Sequence, residues 1–214
     1  MKRRTLLAAL GASAVAGCLA DDSGTDDGGN DPLGTAVPPD SVAGQFDGEP
    51  TRPACTVESE SIEVSRGDET ETYETAPTVP YPEAPSSLET ETILEYVEAF
   101  EHAYVTKDVL CDWTGSDHVL NVGFSVRRYE TVERPDGVTV VSLVRAGGAT
   151  LGTDGEHLWA AELAPEGVAY AIDETGLARA DFDEPPGRTD DLESAAPDPL
   201  TAGELVAVFD DGGK

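Results

Sequence analysis

The chain has 214 residues and a formal net charge of −30, with 43 Asp and Glu against 13 Lys and Arg. A surface of that sign repels phosphate backbones and anionic lipid headgroups, which excludes nucleic acid as a partner and plain electrostatic attachment to a membrane. It also repels itself, until molar salt shortens the Debye length to about 3 Å.

Residues 1–17 begin with Lys2, Arg3 and Arg4 and continue as an apolar run from Leu6 to Ala16. A charged start, a short apolar core and small residues before a cut are the layout of an export signal. The run is well short of the roughly 20 residues needed to span a bilayer, so cleavage is expected. Arg3-Arg4-Thr5-Leu6-Leu7 resembles a twin-arginine signal, a receptor-read address. Val15-Ala16-Gly17-Cys18 resembles a lipobox. That resemblance implies cleavage before Cys18 and a lipid on its sulfur. Two acyl chains hold a protein on a membrane where one does not. Cleavage also removes three cations, leaving Lys107 and Lys214 as the remaining lysines.

Residues 18–53 are expected to form an acidic, disordered tether. Asp, Gly, Ser and Thr dominate its first half, and Pro38, Pro39, Pro50 and Pro53 follow. Its Asp residues lack the Gly and Glu placement of a calcium-binding EF-hand loop. A globular domain is expected over 54–183, one core's worth of chain. Residues 184–214 are Pro- and Asp-rich and read as irregular, with a possible closing strand at 204–209. Cys55 and Cys111 are the cysteines left besides Cys18. In an oxidising exterior they are expected to pair, which by loop-closure entropy is worth about 4 kcal/mol; two buried thiols are the alternative.

Val57, Ile62 and Val64 suggest an edge strand. Pro77, Pro80, Pro82 and Pro85 make a stiff approach to a helix. Ser86 and Glu89 fit a capping box, which places the helix start near Ser87. Ile93, Val97, Phe100 and Tyr104 then form one apolar stripe, with Glu91, Glu95, Glu98 and His102 off it. The helix is expected to end near Asp108.

Strands follow. Leu120, Val122, Phe124 and Val126 alternate with polar residues, at period two. Pro135-Asp136-Gly137 is a turn, and Val138 to Val144 pairs back across it. Gly147 to Gly155 reads as a loop. His157 to Leu163, Val168 to Ile172, Leu177 to Phe182 and Leu205 to Phe209 are further strands. One long helix followed by an antiparallel meander gives α+β. A sheet curved over the helix, cystatin-like or NTF2-like, is the expected architecture by element order.

No catalytic constellation stands out. His102, His118 and His157 show no metal spacing, and no nucleophile elbow occurs; no cofactor motif is found. One feature departs from the acidic background: arginines concentrate in the strand region. If Arg127, Arg145 and Arg179 shared a sheet face, they would bind an anion bidentately, with Phe100 and Tyr104 lining a cavity beneath the helix. The alternative is that each arginine is matched to a carboxylate.

Taken together, the signal, lipobox, Asp/Gly tether and small domain resemble the twin-arginine-exported lipoproteins of haloarchaea, a group of uncharacterised function. YPEAPSSLETETILEYVEAFEHAY resembles the helix entry of one such group. The resemblance implies a halophilic lipoprotein on the extracellular face of the cell membrane, with the lipid at Cys18 as its membrane contact. The leading expectation is a non-enzymatic interaction or ligand-binding domain. An NTF2-like extracytoplasmic enzyme and a structural envelope component are the alternatives.

Overall fold

The two strongest local patterns, the apolar stripe of the helix and the β-branched run after Gly137, become the two sides of one interface. A computed structural model of the chain describes residues 38–113 and 117–209. The expected signal at residues 1–17 with Arg3 and Arg4, the expected lipidation site Cys18 and the expected tether up to residue 37 lie outside the described residues. A 3-10 turn at Ala43–Gln45 precedes strands β1 (Ser61–Arg66) and β2 (Glu69–Glu74) and helix α1 (Thr90–Cys111). Strands β3 (His118–Glu133), β4 (Thr139–Thr153), β5 (Leu158–Ala160), β6 (Pro165–Ile172) and β7 (Gly176–Asp181) come next. Two short helices, α2 (Leu192–Ala195) and α3 (Pro199–Ala202), lead into β8 (Glu204–Val208). The fold is α+β. Among the described residues no helix is long and apolar enough to cross a membrane.

The main sheet is antiparallel, in the order β3-β4-β6-β7-β8, and β5 pairs with the far end of β4. Tight turns join β3 to β4 and β6 to β7, whereas β6 passes over β5 to pair with β4, and β7 reaches β8 by way of α2 and α3. Arg134 donates its backbone N–H to Val138 O at 2.8 Å, and Gly137 closes this turn at φ +86°, a conformation that glycine adopts without a Cβ clash. β1 and β2 form a separate hairpin; only the first of these strands was legible, because β2 reads ETETYE and has no buried position. Gly147 to Gly155, expected as a loop, instead extends β4 as far as Thr153. Backbone pairing to β3 and β5 holds it there despite its glycines.

Helix α1 packs on the sheet through Ile93, Val97 and Phe100, which meet Val141, Leu143, Val168, Tyr170 and Ile172. It starts at Thr90 and runs to Cys111, three residues later at each end than expected. The capping box does not form: Glu89 is the N-cap and makes no side-chain cap bond. The first helical bond runs from Ile93 N–H to Glu89 O at 2.9 Å, while Ser87 Oγ is directed to Thr92 Oγ1 at 3.2 Å.

The opposite sheet face is also covered, so β6 and β7 are buried at consecutive positions rather than alternately. The cover includes residues assigned to the tether. Val42 and Ala43 pack on Val138, Ala171, Ala178 and Leu205, with Phe46 and Leu200 beside them. The Asp173 carboxylate accepts the Val42 N–H at 2.8 Å, and Thr175 Oγ1 accepts that of Ala43 at 3.0 Å. Thr51 donates its backbone N–H to Leu205 O at 2.8 Å. Residues 38–53 therefore belong to the domain, and the expected boundary moves toward the N-terminus. Composition misleads here because a few apolar residues, Val42, Ala43 and Phe46, set among Pro, Asp and Gly carry the anchoring. The C-terminal region is also less irregular than expected, with α2 and α3 capped by the Asp191 and Asp198 side chains.

Cys55 and Cys111 are joined as a disulfide across a sequence separation of 56. The bridge ties the extended entry segment to the end of α1, where Lys107 Nζ also donates to Cys55 O at 2.6 Å.

A chain beginning at residue 38 is expected to melt at the same temperature as the full chain, whereas one beginning at residue 47 uncovers Val138 and Ala178 and melts lower. Thermal unfolding of the two truncations in molar salt checks this, and equal melting temperatures would contradict the packing role of Val42.

Candidate functional site

Two arginine groups lie on opposite faces of the sheet. Arg145 and Val144 are neighbours on β4, so their side chains point to opposite sides. Arg145 faces α1 and Val144 faces away.

On the helix side, Glu101 is fully buried at 0 % exposure. Arg145 Nε donates to its Oε1, and Arg179 donates through Nε at 3.1 Å and Nη2 at 3.3 Å to its two oxygens. The Tyr170 hydroxyl donates to Oε2. Each guanidinium also reaches outward: Arg145 Nη1 to Glu166 at 2.6 Å, and Arg179 Nη1 to Asp181 at 2.7 Å. Charges thus alternate along Asp181, Arg179, Glu101, Arg145 and Glu166. Burial works against the Arg179 charge, but Glu101 and then Tyr170 more than offset it and push its pKa up. Burial, and then the Glu101 charge, pushes the Tyr170 phenol well above its ordinary value. The Tyr104 ring lies 4.1 Å from the Arg179 guanidinium.

A recess of about 450 Å³ opens at the end of this cluster, lined by Tyr104, Asp108, Arg145, Glu166, Arg179 and Asp181 among others. Of the five residues expected to form an anion site, Tyr104, Arg145 and Arg179 therefore meet here. Their guanidiniums are occupied by carboxylates, so the group is a structural lock and not an anion receptor. Phe100 is a correction of another kind. It is 0 % exposed and packs against Tyr170 and Tyr81, so side chains fill the space beneath the helix where a cavity was expected.

Arg127 does not join this group. The register passes from Val126↔Arg145 to Arg128↔Val144, so Arg127 is an extra residue in β3 without a partner. A bulge of this kind re-aims side chains. Here it brings Arg127 and Arg128 to one cleft of about 610 Å³ on the face away from α1, together with Val144, Ala146, Leu163, Pro165, Pro186, Gly187 and Arg188. None of these lining residues is acidic. Arg128 donates to Gly187 O at 3.0 Å, Arg188 O at 3.3 Å and Asp190 O at 2.7 Å, which pins the 187–190 turn to the sheet. Arg128 and Arg188 were not expected here. Arg188 falls in the stretch read as irregular, and only the Arg128 bridge shows which surface it joins.

The histidines do not converge. His102 stacks on Phe124 at 5.0 Å, His157 Nδ1 lies 3.4 Å from Asp154 on the surface, and His118 lines a groove with Glu58 and Glu60. Among the described residues no group of three His, Cys, Asp or Glu side chains could hold a metal ion.

Removing the shared acid leaves two buried cations facing each other. Glu101→Gln is expected to destabilise the fold by about 3 kcal/mol, measured by denaturant unfolding; a loss under a third of that would show that Glu166 and Asp181 suffice. Asp108 behaves differently. Desolvation, and then the Asp112 charge, raises its carboxyl pKa. A carboxyl raised on folding binds more protons folded than unfolded, so its ionisation opposes folding as pH rises. Asp108→Asn should therefore raise Tm at neutral pH, with the gain shrinking as pH falls toward the ordinary value of 3.8. Thermal scans against pH check the sign, and a lower Tm at pH 7 would reverse it. Set against protein-family models, curated proteins and solved structures, the chain matches none.

Proposed function

We propose that this chain is an exported lipoprotein, anchored at the outer face of the cell membrane through Cys18, whose folded domain binds a small ligand without transforming it. The observation that carries the binding half is the cleft at Arg127, Arg128 and Arg188. It is preformed and open, and its volume of about 610 Å³ falls within the range of small-molecule sites. The helix side, where an NTF2-like enzyme would keep its cavity, is filled by Phe100 and locked by Glu101. That arrangement favours a binding module over the enzyme reading. One long helix over an antiparallel meander supports a cystatin-like or NTF2-like relationship with a curved sheet, as element order alone suggests.

The anchoring half rests on the Arg3-Arg4 pair and the Val15-Ala16-Gly17-Cys18 motif. In this reading residues 18–37 are the spacer, shorter than the sequence suggests because residues 38–53 pack on the domain. The high acid content keeps both spacer and domain solvated in brine, the halophilic character that the resemblance implies.

Cys18→Ser is expected to move the protein from the membrane fraction to the medium, and mass spectrometry of the wild-type N-terminus should find a diacylglyceryl thioether. A wild-type protein with an unmodified Cys18 would end the anchoring half. For the binding half, a panel of anionic, neutral and cationic small molecules is tested by thermal shift. A ligand at a hundred times its Kd stabilises by about 2.7 kcal/mol; a panel in which no charge class shifts Tm would end it.

A further inference from the structure

We infer that the Arg127–Arg188 cleft takes a small organic anion with an apolar body, a carboxylate on a short hydrocarbon chain being the simplest case; this names the ligand class for the binding reading above and rests on it. The first argument is charge economy. Among the described basic side chains, Arg134, Arg145 and Arg179 pair with carboxylates. Arg52 and Lys107 lie over the Tyr81 ring at 4.2 and 5.6 Å. Arg127, Arg128 and Arg188 instead converge on one cleft with no acid in its lining. Arg128 directs its donors to carbonyls, so in a chain with 43 acids and 13 bases Arg127 and Arg188 are the cations of this cleft left for an anion from outside.

The second argument is construction. Arg188 sits on a turn that is closed on itself, since Gly187 N–H donates to the Asp190 carboxylate at 2.7 Å. Arg128 holds that turn against β3 through three carbonyls. Arg128 is therefore a positioning residue, and its donors are mostly used. Arg127, presented by the bulge, and Arg188, presented by the turn, keep their forks for the ligand. A guanidinium fork matches a carboxylate bidentately.

The third argument is the floor. Val144 and Ala146 are buried beneath the cleft, and Leu163, Pro165 and Pro186 form its walls. The whole protein repels anions at long range, so a small inorganic anion has little to hold it there. Apolar contact adds roughly 0.8 kcal/mol per buried methylene. A hydrocarbon body on the anion therefore decides retention.

Isothermal titration of the full chain in 1 M KCl, with octanoate, acetate and octanol as probes, tests this. Octanoate is expected to bind at least tenfold more tightly than either of the others. The double variant Arg127→Gln/Arg188→Gln, at two exposed positions, is expected to lose at least tenfold toward octanoate while its circular dichroism is unchanged. Leu163→Asp, probing the wall, should weaken octanoate similarly. Octanoate binding that is unaltered in the double variant overturns the site, and acetate binding equal to octanoate overturns the apolar component. If octanoate fails and a neutral or cationic member of the thermal-shift panel binds, the ligand class is wrong and the binding reading stands. If nothing in that panel binds, both fall.

Discussion

Glu101 is the residue on which the two layers agree. A carboxylate at 0 % exposure is tolerated because two guanidiniums and a phenol meet it from strands β4, β6 and β7. Helix and sheet can dock in only one register if that charge is to be neutralised, since a slip of one residue on any strand would send its arginine or tyrosine to the other face. Hydrophobic contact around Phe100 drives the docking and is not directional. The ionic cluster gives it direction. Its outer partners, Glu166 and Asp181, lie toward solvent and extend the alternation of charge to the surface.

That use of Arg145 and Arg179 clarifies the meaning of the remaining arginines. Guanidiniums that close a core are not available to a ligand, however well placed they look on a strand. The bulge at Arg127 places that residue and Arg128 on the face away from α1. There Arg128 performs a second structural task, bonding the carbonyls of a turn, and leaves Arg127 and Arg188 exposed beside an apolar floor. Structural charge and available charge are thus separated by the thickness of one sheet.

The face away from α1 also explains why the chain needs its flanking segments. Val42 and Ala43 from one end, and Leu200 from the other, pack on Val138 and on apolar positions of β6, β7 and β8. Asp173 joins these parts: one carboxylate accepts from Val42, Thr175 and Gly176, so it organises the β6–β7 turn and holds the entry segment with the same group. The sheet has two covered faces, and the arginine cleft is where the second cover stays open.

The sequence by itself determined the α1 helix, the order of the strands after it and the α+β class. These depend on local periodicity and turn chemistry, which a short window contains: Ile93, Val97 and Phe100 lie one helical turn apart, and Asp136-Gly137 can hardly avoid a turn. Only the tertiary structure decided the rest. Helical spacing sets Glu101 one turn from Val97, but no local pattern gives it a partner until two arginines from strands far along the chain surround it, though a lone Arg within each of the apolar runs of β4 and β7 hints at a buried acid. Val42 reads as linker until Ala171 and Ala178 lie beneath it. Residue type alone groups Arg127 with Arg145 and Arg179, because sequence does not show sheet face. A one-residue bulge, invisible in composition, set which of the three guanidiniums stays free.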